Sequence, residues 1–317
     1  MNIDPEIRFF LDELRAGWAQ EPPFDTLTFP EKRRVADKVR ARWTEGGPVM
    51  ARTVERRFDP GAGELRIRVH LPEGVAEPAP ALVYLHGGGF TLFSIDSHDR
   101  LMREYAEQGG FAVIGVDYPL APEHKYPVAL NRLEAFLIWL RGHGTELGVD
   151  PGRIALGGDS AGANISFGLV QRLRARGEHA LVRAVLSNYG GYDSAISDAA
   201  EADFGGDDSI MNRNEAEEYY SNYLNGQDEA DDPHVYPIAA DLVGFPPVFL
   251  VIAECDILAE QGVAMDAKLR KAGVETLTRI YPGAIHSFLE AMSVSAVART
   301  AIADGAAFIS GKLKDGV

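Results

Sequence analysis

The stretch Arg153-Ile-Ala-Leu-Gly-Gly-Asp-Ser-Ala-Gly-Ala-Asn-Ile-Ser-Phe-Gly-Leu-Val-Gln-Arg172 decides how the rest of this chain is read. The apolar run Ile154–Leu156 predicts a short buried strand. From Ala161 to Arg174, Ile165, Leu169 and Leu173 recur at helical spacing and give one apolar face. Between the two, Gly158-Asp159-Ser160-Ala161-Gly162 must turn the chain from strand to helix within a few residues. A bend that tight forces unusual dihedrals on Ser160, and glycines at 158 and 162 remove the Cβ atoms that would clash across the turn. The turn lifts the serine hydroxyl clear of the strand and aims the next N–H, that of Ala161, at whatever the hydroxyl attacks. With 33 glycines in the chain the pentapeptide alone is weak evidence. The strand before it and the helix after it make it strong.

Working outward, strands alternate with helices, which predicts an α/β fold with a mostly parallel sheet and helices on both faces. Continuous apolar runs mark buried strands at Ala81–Leu85, Phe111–Val116 and Val248–Ala253. Leu130, Leu133, Phe136, Leu137 and Leu140 mark a helix between them. Thr53–Phe58 and Leu65–Leu71 read as an opening hairpin turned at Asp59-Pro60-Gly61. Val274–Tyr281 alternates weakly and holds Glu275 and Arg279, as an edge strand should. A last helix is expected from about Glu290. Two segments break the alternation. Residues 1–50 carry the helical stripes Ile7, Leu11, Leu14, Trp18 and Val35, Val39, Trp43. Residues 193–231 are acidic and Gly-rich, then helical at Ala216, Tyr219, Tyr220, Tyr223 and Leu224. Both are too long for plain connections. They are expected to form a helical cap over the active edge of a catalytic domain spanning 51–317. Surface decoration or a homodimer interface is the alternative use for them.

A serine hydroxyl needs a base to take its proton and a carboxylate to orient that base. Downstream of Ser160 stand His179, His234 and His286. His179 sits in a charged linker and His234 follows the turn Asp231-Asp232-Pro233. His286 lies just past the last strand, where a loop can bring it beside the nucleophile. The acid belongs just past the preceding strand, and Glu254 and Asp256 compete there. The strand is expected to hold Glu254 and leave Asp256 on the loop, which favours Asp256. Cys255 between them has no glycine elbow and reads as a buried structural thiol. Upstream, His86-Gly87-Gly88-Gly89-Phe90 directly follows the strand Ala81–Leu85. Three glycines let bare N–H groups approach a developing oxyanion where side chains would obstruct.

The formal charge of −16 argues against binding a nucleic-acid backbone. No phosphate loop, HExxH or CxxC pair occurs, so neither a cofactor nor a metal is expected. No apolar run is long enough to span a bilayer, and Met1–Phe10 lacks a basic segment followed by an apolar one, so no membrane association is expected. With one cysteine, Cys255, the chain suits a reducing compartment, and a cytoplasmic location is expected.

Together these motifs resemble the hormone-sensitive-lipase family of serine esterases, in the bacterial branch with a GDSAG elbow. The resemblance covers nearly the whole chain after residue 50. Besides HGGGF and GDSAG it includes Asp117-Tyr-Pro-Leu-Ala-Pro-Glu123 with Tyr126-Pro127, and Tyr281-Pro-Gly-Ala-Ile-His286. Ser97-His-Asp-Arg-Leu-Met102 and Tyr219-Tyr-Ser-Asn-Tyr-Leu224 are most similar to bacterial acetyl esterases. The resemblance implies an α/β-hydrolase fold with a cap and short-chain acyl esters as substrates. Carried over, the nucleophile falls on Ser160, the acid on Asp256 and the base on His286, with oxyanion donors at the N–H groups of Gly88, Gly89 and Ala161. His86, Gly87, Gly158, Asp159 and Gly162 support the motifs. After the acid this family usually has Pro-Leu and a second Asp; here Ile257-Leu258 and Glu260 stand instead. Trp18, Trp43, Tyr219 and Tyr223 are the aromatic residues expected to narrow the acyl pocket. Two other readings use the same fold: an amidase or peptidase with the same triad, and a non-catalytic small-molecule receptor. Plant gibberellin receptors resemble the family but lack the histidine that is present here.

Overall fold

The computed structural model describes residues 2–206, 209–226 and 232–314. The opening hairpin forms as expected: Arg52–Phe58 (β1) pairs antiparallel with Leu65–Leu71 (β2). β2 then pairs antiparallel with Ala112–Asp117 (β4), and from there the pairing is parallel. Ala79–Leu85 (β3), Val149–Asp159 (β5), Val185–Asn188 (β6), Val248–Cys255 (β7) and Thr276–Ile285 (β8) complete the sheet. The order is β1-β2-β4-β3-β5-β6-β7-β8. β8 is therefore an edge, and its exposed Ile280 and part-exposed Thr276 and Thr278 fit that position. β6, only four residues long, was not anticipated from the sequence.

The register positions the chemistry. Leu85 pairs with Gly158, so the loop after β3 and the turn after β5 emerge side by side. Cys255 pairs with Ile285, so residues 256 and 286 begin adjacent loops at the same end of the sheet. This is the carboxyl edge of the parallel strands, where open α/β sheets bind their ligands.

Helices Pro5–Trp18 (α1), Phe29–Thr44 (α2), Asp99–Gly109 (α3), Val128–His143 (α4) and Ala161–Ala175 (α5) are followed by Asp198–Phe204 (α6) and Arg213–Tyr223 (α7). Ala259–Lys271 (α8) and Ala296–Leu313 (α9) end the chain's regular structure. The central strands are buried on both sides because two apolar layers cover them. Val83, Leu156 and Leu250 face Phe136 of α4, Ile165 of α5 and Met265 of α8. Leu82, Ala155 and Phe249 face Phe10 of α1, Tyr105 of α3 and Ile302 of α9. Each large side chain fully withdrawn from water in these layers contributes roughly 1.5–3 kcal/mol. The last helix starts later than expected. A short 3₁₀ helix, Phe288–Ser293, comes first, and Ser295 then caps α9 by accepting from the Ala298 N–H.

The two segments outside the alternation are tied down by named side chains. Arg33 of α2 donates to the carbonyls of Thr91 and Ala121, both at 2.8 Å, and pairs with Glu123. That contact gives the Asp117–Glu123 stretch a structural purpose. Glu260, standing where the resembled family has aspartate, accepts from the N–H and hydroxyl of Ser197, each at 2.8 Å. Residues 207, 208 and 227–231 of the acidic stretch lie outside the described residues. Among the described residues no helix is long and apolar enough to cross a membrane.

Candidate active site

Ser160 sits at φ 51° and ψ −117°, a backbone conformation that a residue with a Cβ rarely adopts. Its N–H donates to the Asn188 carbonyl at 2.9 Å, and α5 begins at the next residue. A Cβ at Gly158 would lie 2.1 Å from the Leu85 carbonyl oxygen and 2.8 Å from the Gly162 carbonyl carbon. One at Gly162 would lie 1.9 Å from the same Leu85 oxygen. The glycines thus relieve the turn, as expected, and admit the end of β3 against it even more.

His286 and Asp256 stand where the sequence reading sends them. His286 Nε2 is 2.9 Å from Ser160 Oγ, and Nδ1 is 2.7 Å from Asp256 Oδ2. A carboxylate only accepts, so Nδ1 carries the proton and Nε2 is free to accept from the serine hydroxyl. The other oxygen of Asp256, Oδ1, accepts from the Leu258 N–H at 3.0 Å, and the residue is only 2% exposed. Burial alone would lower the pKa of His286. The charge and hydrogen bond of Asp256 outweigh it and hold the imidazole above its ordinary value. Glu254 remains in β7, exposed, its Oε2 accepting from the Gly283 N–H at 2.8 Å. His234 is engaged elsewhere, with Nδ1 2.9 Å from Asp232. Cys255 is buried, and burial pushes its thiol pKa up.

The glycine loop after β3 is held from beneath. Gly88 has φ 107°, and a Cβ there would meet the Leu92 carbonyl oxygen at 2.4 Å, so only glycine fits. Asp159, known from the sequence only as the second member of the pentapeptide, fastens this loop to the serine turn. Its Oδ1 accepts from the Gly87 N–H at 3.1 Å and the Tyr84 hydroxyl at 2.9 Å. Its Oδ2 faces His98 Nε2 at 3.4 Å. Burial would raise this carboxyl, but the charge and hydrogen bond of His98 and the hydrogen bond from Tyr84 together outweigh burial and keep it below the usual range. His86 is different: burial, helped by the neighbouring His98 charge, lowers it to about 4, so it is neutral. Its ring stacks on Tyr118 at 4.4 Å, and Nδ1 donates to the Gly87 carbonyl at 2.8 Å. Tyr84 and His98 escaped the sequence reading as site residues. The Ser97–Met102 match was the available signal for His98.

Ser160 faces two cavities. The larger, about 410 Å³, is lined by His286, Gly88 and Gly89 and by the apolar walls Leu14, Trp18, Phe93 and Tyr219. Also lining it, Arg40 Nη1 lies 2.7 Å from Glu290 Oε2, both side chains nearly inaccessible. The smaller, about 40 Å³, is lined by Ala161, Gly191, Ile196, Ala216 and Leu258. Of the four aromatic residues expected to narrow the acyl pocket, Trp18 and Tyr219 do line the large cavity. The other two do not. Trp43 is buried edge-on against Phe10, and Tyr223 stacks on Phe90 at 4.0 Å, because both fill the core beneath the helices.

A family model described as alpha/beta hydrolase fold matches residues 82–290. Carboxylesterase NlhH of Mycobacterium tuberculosis is 33% identical over 322 residues, covering 96% of this chain and 95% of that protein. The acetyl esterase of Salmonella paratyphi B is 32% identical over 256 residues, covering 80% of this chain and 78% of its own. Among solved structures, the hyperthermophilic esterase from the archaeon Pyrobaculum calidifontis matches with a TM-score of 0.89 at 29% identity, covering 98% of this chain and 99% of that one. The chain belongs to the α/β-hydrolase family, in its carboxylic ester hydrolase branch. The resemblance to hormone-sensitive-lipase-type esterases is borne out.

Proposed function

We propose that this serine carboxylesterase works by two-step acyl transfer, with Ser160 as nucleophile, His286 as base and then acid, and Asp256 as the group that orients His286. The observation that carries the reading is the unbroken line from Ser160 Oγ through His286 to Asp256, at 2.9 and 2.7 Å. In this mechanism the Ser160 oxygen attacks the ester carbonyl while Nε2 takes its proton. The negative charge forming on the carbonyl oxygen is met by the N–H groups of Gly88, Gly89 and Ala161. His286 returns the proton to the departing alcohol, and a water molecule repeats the sequence to release the acid. No cofactor enters any step.

Three finer points belong to the same reading. The acyl group is short, acetyl to butyryl, as suggested by the kinship with acetyl esterases. Residues 1–50 and about 193–231 act as a cap on the catalytic domain 51–317, supported by the side chains of α1 and α7 in the wall of the large cavity. A cytoplasmic location is favoured by the unpaired Cys255. Amide cleavage is the competing activity, and matched nitrophenyl acetate and nitroacetanilide substrates separate the two. The decisive variant is Ser160→Ala. It should cost on the order of 10⁶ in turnover of nitrophenyl acetate with an unchanged melting temperature. Retention of more than a few per cent of activity would mean that another group attacks.

A further inference from the structure

The two cavities beside Ser160 differ about tenfold in volume, roughly 410 against 40 Å³, and His286 tells them apart. His286 and its neighbours Ser287 and Glu290 line the large cavity, and none of them lines the small one. On the mechanism proposed above, on which this inference rests, the bond from Ser160 Oγ to the acyl carbon forms and the bond to the alcohol oxygen breaks. The serine proton passes through Nε2 to that leaving oxygen. The leaving oxygen must therefore lie within hydrogen-bond reach of His286. The tetrahedral carbon carries four groups. One is the serine oxygen, one is the oxyanion turned to the backbone donors, and one is the leaving oxygen on the histidine side. The acyl chain takes the remaining direction. We infer that the small cavity receives the acyl group and the large one the alcohol, so that the substrates are acetyl or propionyl esters of bulky, mainly apolar alcohols.

The size of the small cavity sets the limit. A water-sized occupant needs about 10–15 Å³ on this measure, so 40 Å³ holds roughly three such spheres, enough for one or two carbons beyond the carbonyl. Its walls are braced against widening. The Leu258 N–H is fixed on Asp256, and Glu260 grips Ser197, the residue after Ile196. Gln261 Nε2 donates to the carbonyls of Asp193 and Ala195 at 3.2 and 2.8 Å. Of these two cavities only the large one is lined by α1, through Leu14 and Trp18, whereas α7 contributes Tyr219 to the large cavity and Ala216 and Tyr220 to the small one. Trp18, Phe93 and Tyr219 thus shape the alcohol site, while Phe90 and Tyr220 border the acyl site.

Two substrate series test this. One lengthens the acyl group from acetyl to octanoyl with nitrophenol held constant. The other keeps acetyl and enlarges the alcohol from ethanol through benzyl alcohol to naphthylmethanol. kcat/KM should fall about tenfold or more for each of the three methylenes between propionyl and hexanoyl, the discrimination a fixed pocket makes against one methylene too many. The acetate series should hold or rise with size. Ile196→Ala should raise the hexanoyl-to-acetyl ratio about tenfold without altering the alcohol series, and Trp18→Ala should do the reverse. Ala216→Leu, which fills the small cavity, should abolish propionyl turnover before acetyl turnover. Full hexanoyl activity in the unaltered enzyme would overturn the assignment. So would an acyl preference that moves with Trp18→Ala and not with Ile196→Ala. Absence of turnover on every ester in both series would overturn the mechanism beneath it as well.

Discussion

Two carboxylates stand two residues apart, and one substitution in each tells which of them serves His286. In Asp256→Asn the new amide nitrogen points at His286 Nδ1, 2.7 Å away from the atom it replaces, and offers a proton where one was accepted. The imidazole then has to carry its own proton on Nε2, facing Ser160, where it can no longer take the hydroxyl proton. Asp256 is 2% exposed, so no bulk water replaces the lost acceptor. The same change in a serine-protease triad costs about 10⁴ in turnover, or roughly 5 kcal/mol of barrier. The amide oxygen can still accept from the Leu258 N–H, so the melting temperature should hardly move. Glu254→Gln keeps an oxygen for the Gly283 N–H, on an exposed side chain. It should lose at most a few-fold, since a neutral hydrogen bond of this kind is worth only about 0.5–1.5 kcal/mol. Turnover of nitrophenyl acetate and thermal unfolding of both variants provide the comparison. An active Asp256→Asn beside a dead but stable Glu254→Gln would refute the assignment.

The pH profile should report His286 directly. Because its pKa is held above the ordinary 6.5, the base becomes available only as pH rises past that raised value, so the acid limb of kcat/KM should have its midpoint above 6.5. Removing the Asp256 charge should move whatever activity remains to a lower midpoint. The buried pair of Arg40 and Glu290 calls for a double-mutant cycle. Arg40→Met or Glu290→Leu alone strands a charge and should destabilise by about 3–5 kcal/mol, whereas the double variant should recover most of that. Single variants that melt with the unaltered protein would show that the pair is solvated.

The serine turn, the glycine loop and the positions of the long strands along the chain were legible because each is a local pattern. Gly158 and Gly162 sit in the sequence beside the serine they release, and the apolar run at Val248–Ala253 needs no partner to be recognised. β6 was missed because four residues are too few to show a period. The delayed start of α9 depends on a 3₁₀ turn that shares the apolar character of the helix after it. The cavities were beyond reach for another reason. Leu258, Ile196 and Ala216 come from three separate elements, and only the packed sheet makes them neighbours. The same holds for Arg40 and Glu290, which lie at opposite ends of the chain. Trp43 and Tyr223 could not be told from wall residues until the core beneath them was seen to need filling.

Asp159 joins two motifs that lie 72 residues apart at their contact with Gly87, and a Cβ at Gly87 would come within 2.3 Å of its carboxylate. The elbow and the glycine loop are therefore coupled as one structural part. A side chain at 87 leaves no room for an aspartate at 159. A smaller residue at 159 strands the Gly87 N–H, the Tyr84 hydroxyl and His98 Nε2 together. Engineers who move this elbow to another scaffold would have to carry four positions with it, 84, 87, 98 and 159, or replace all four with a neutral set that packs.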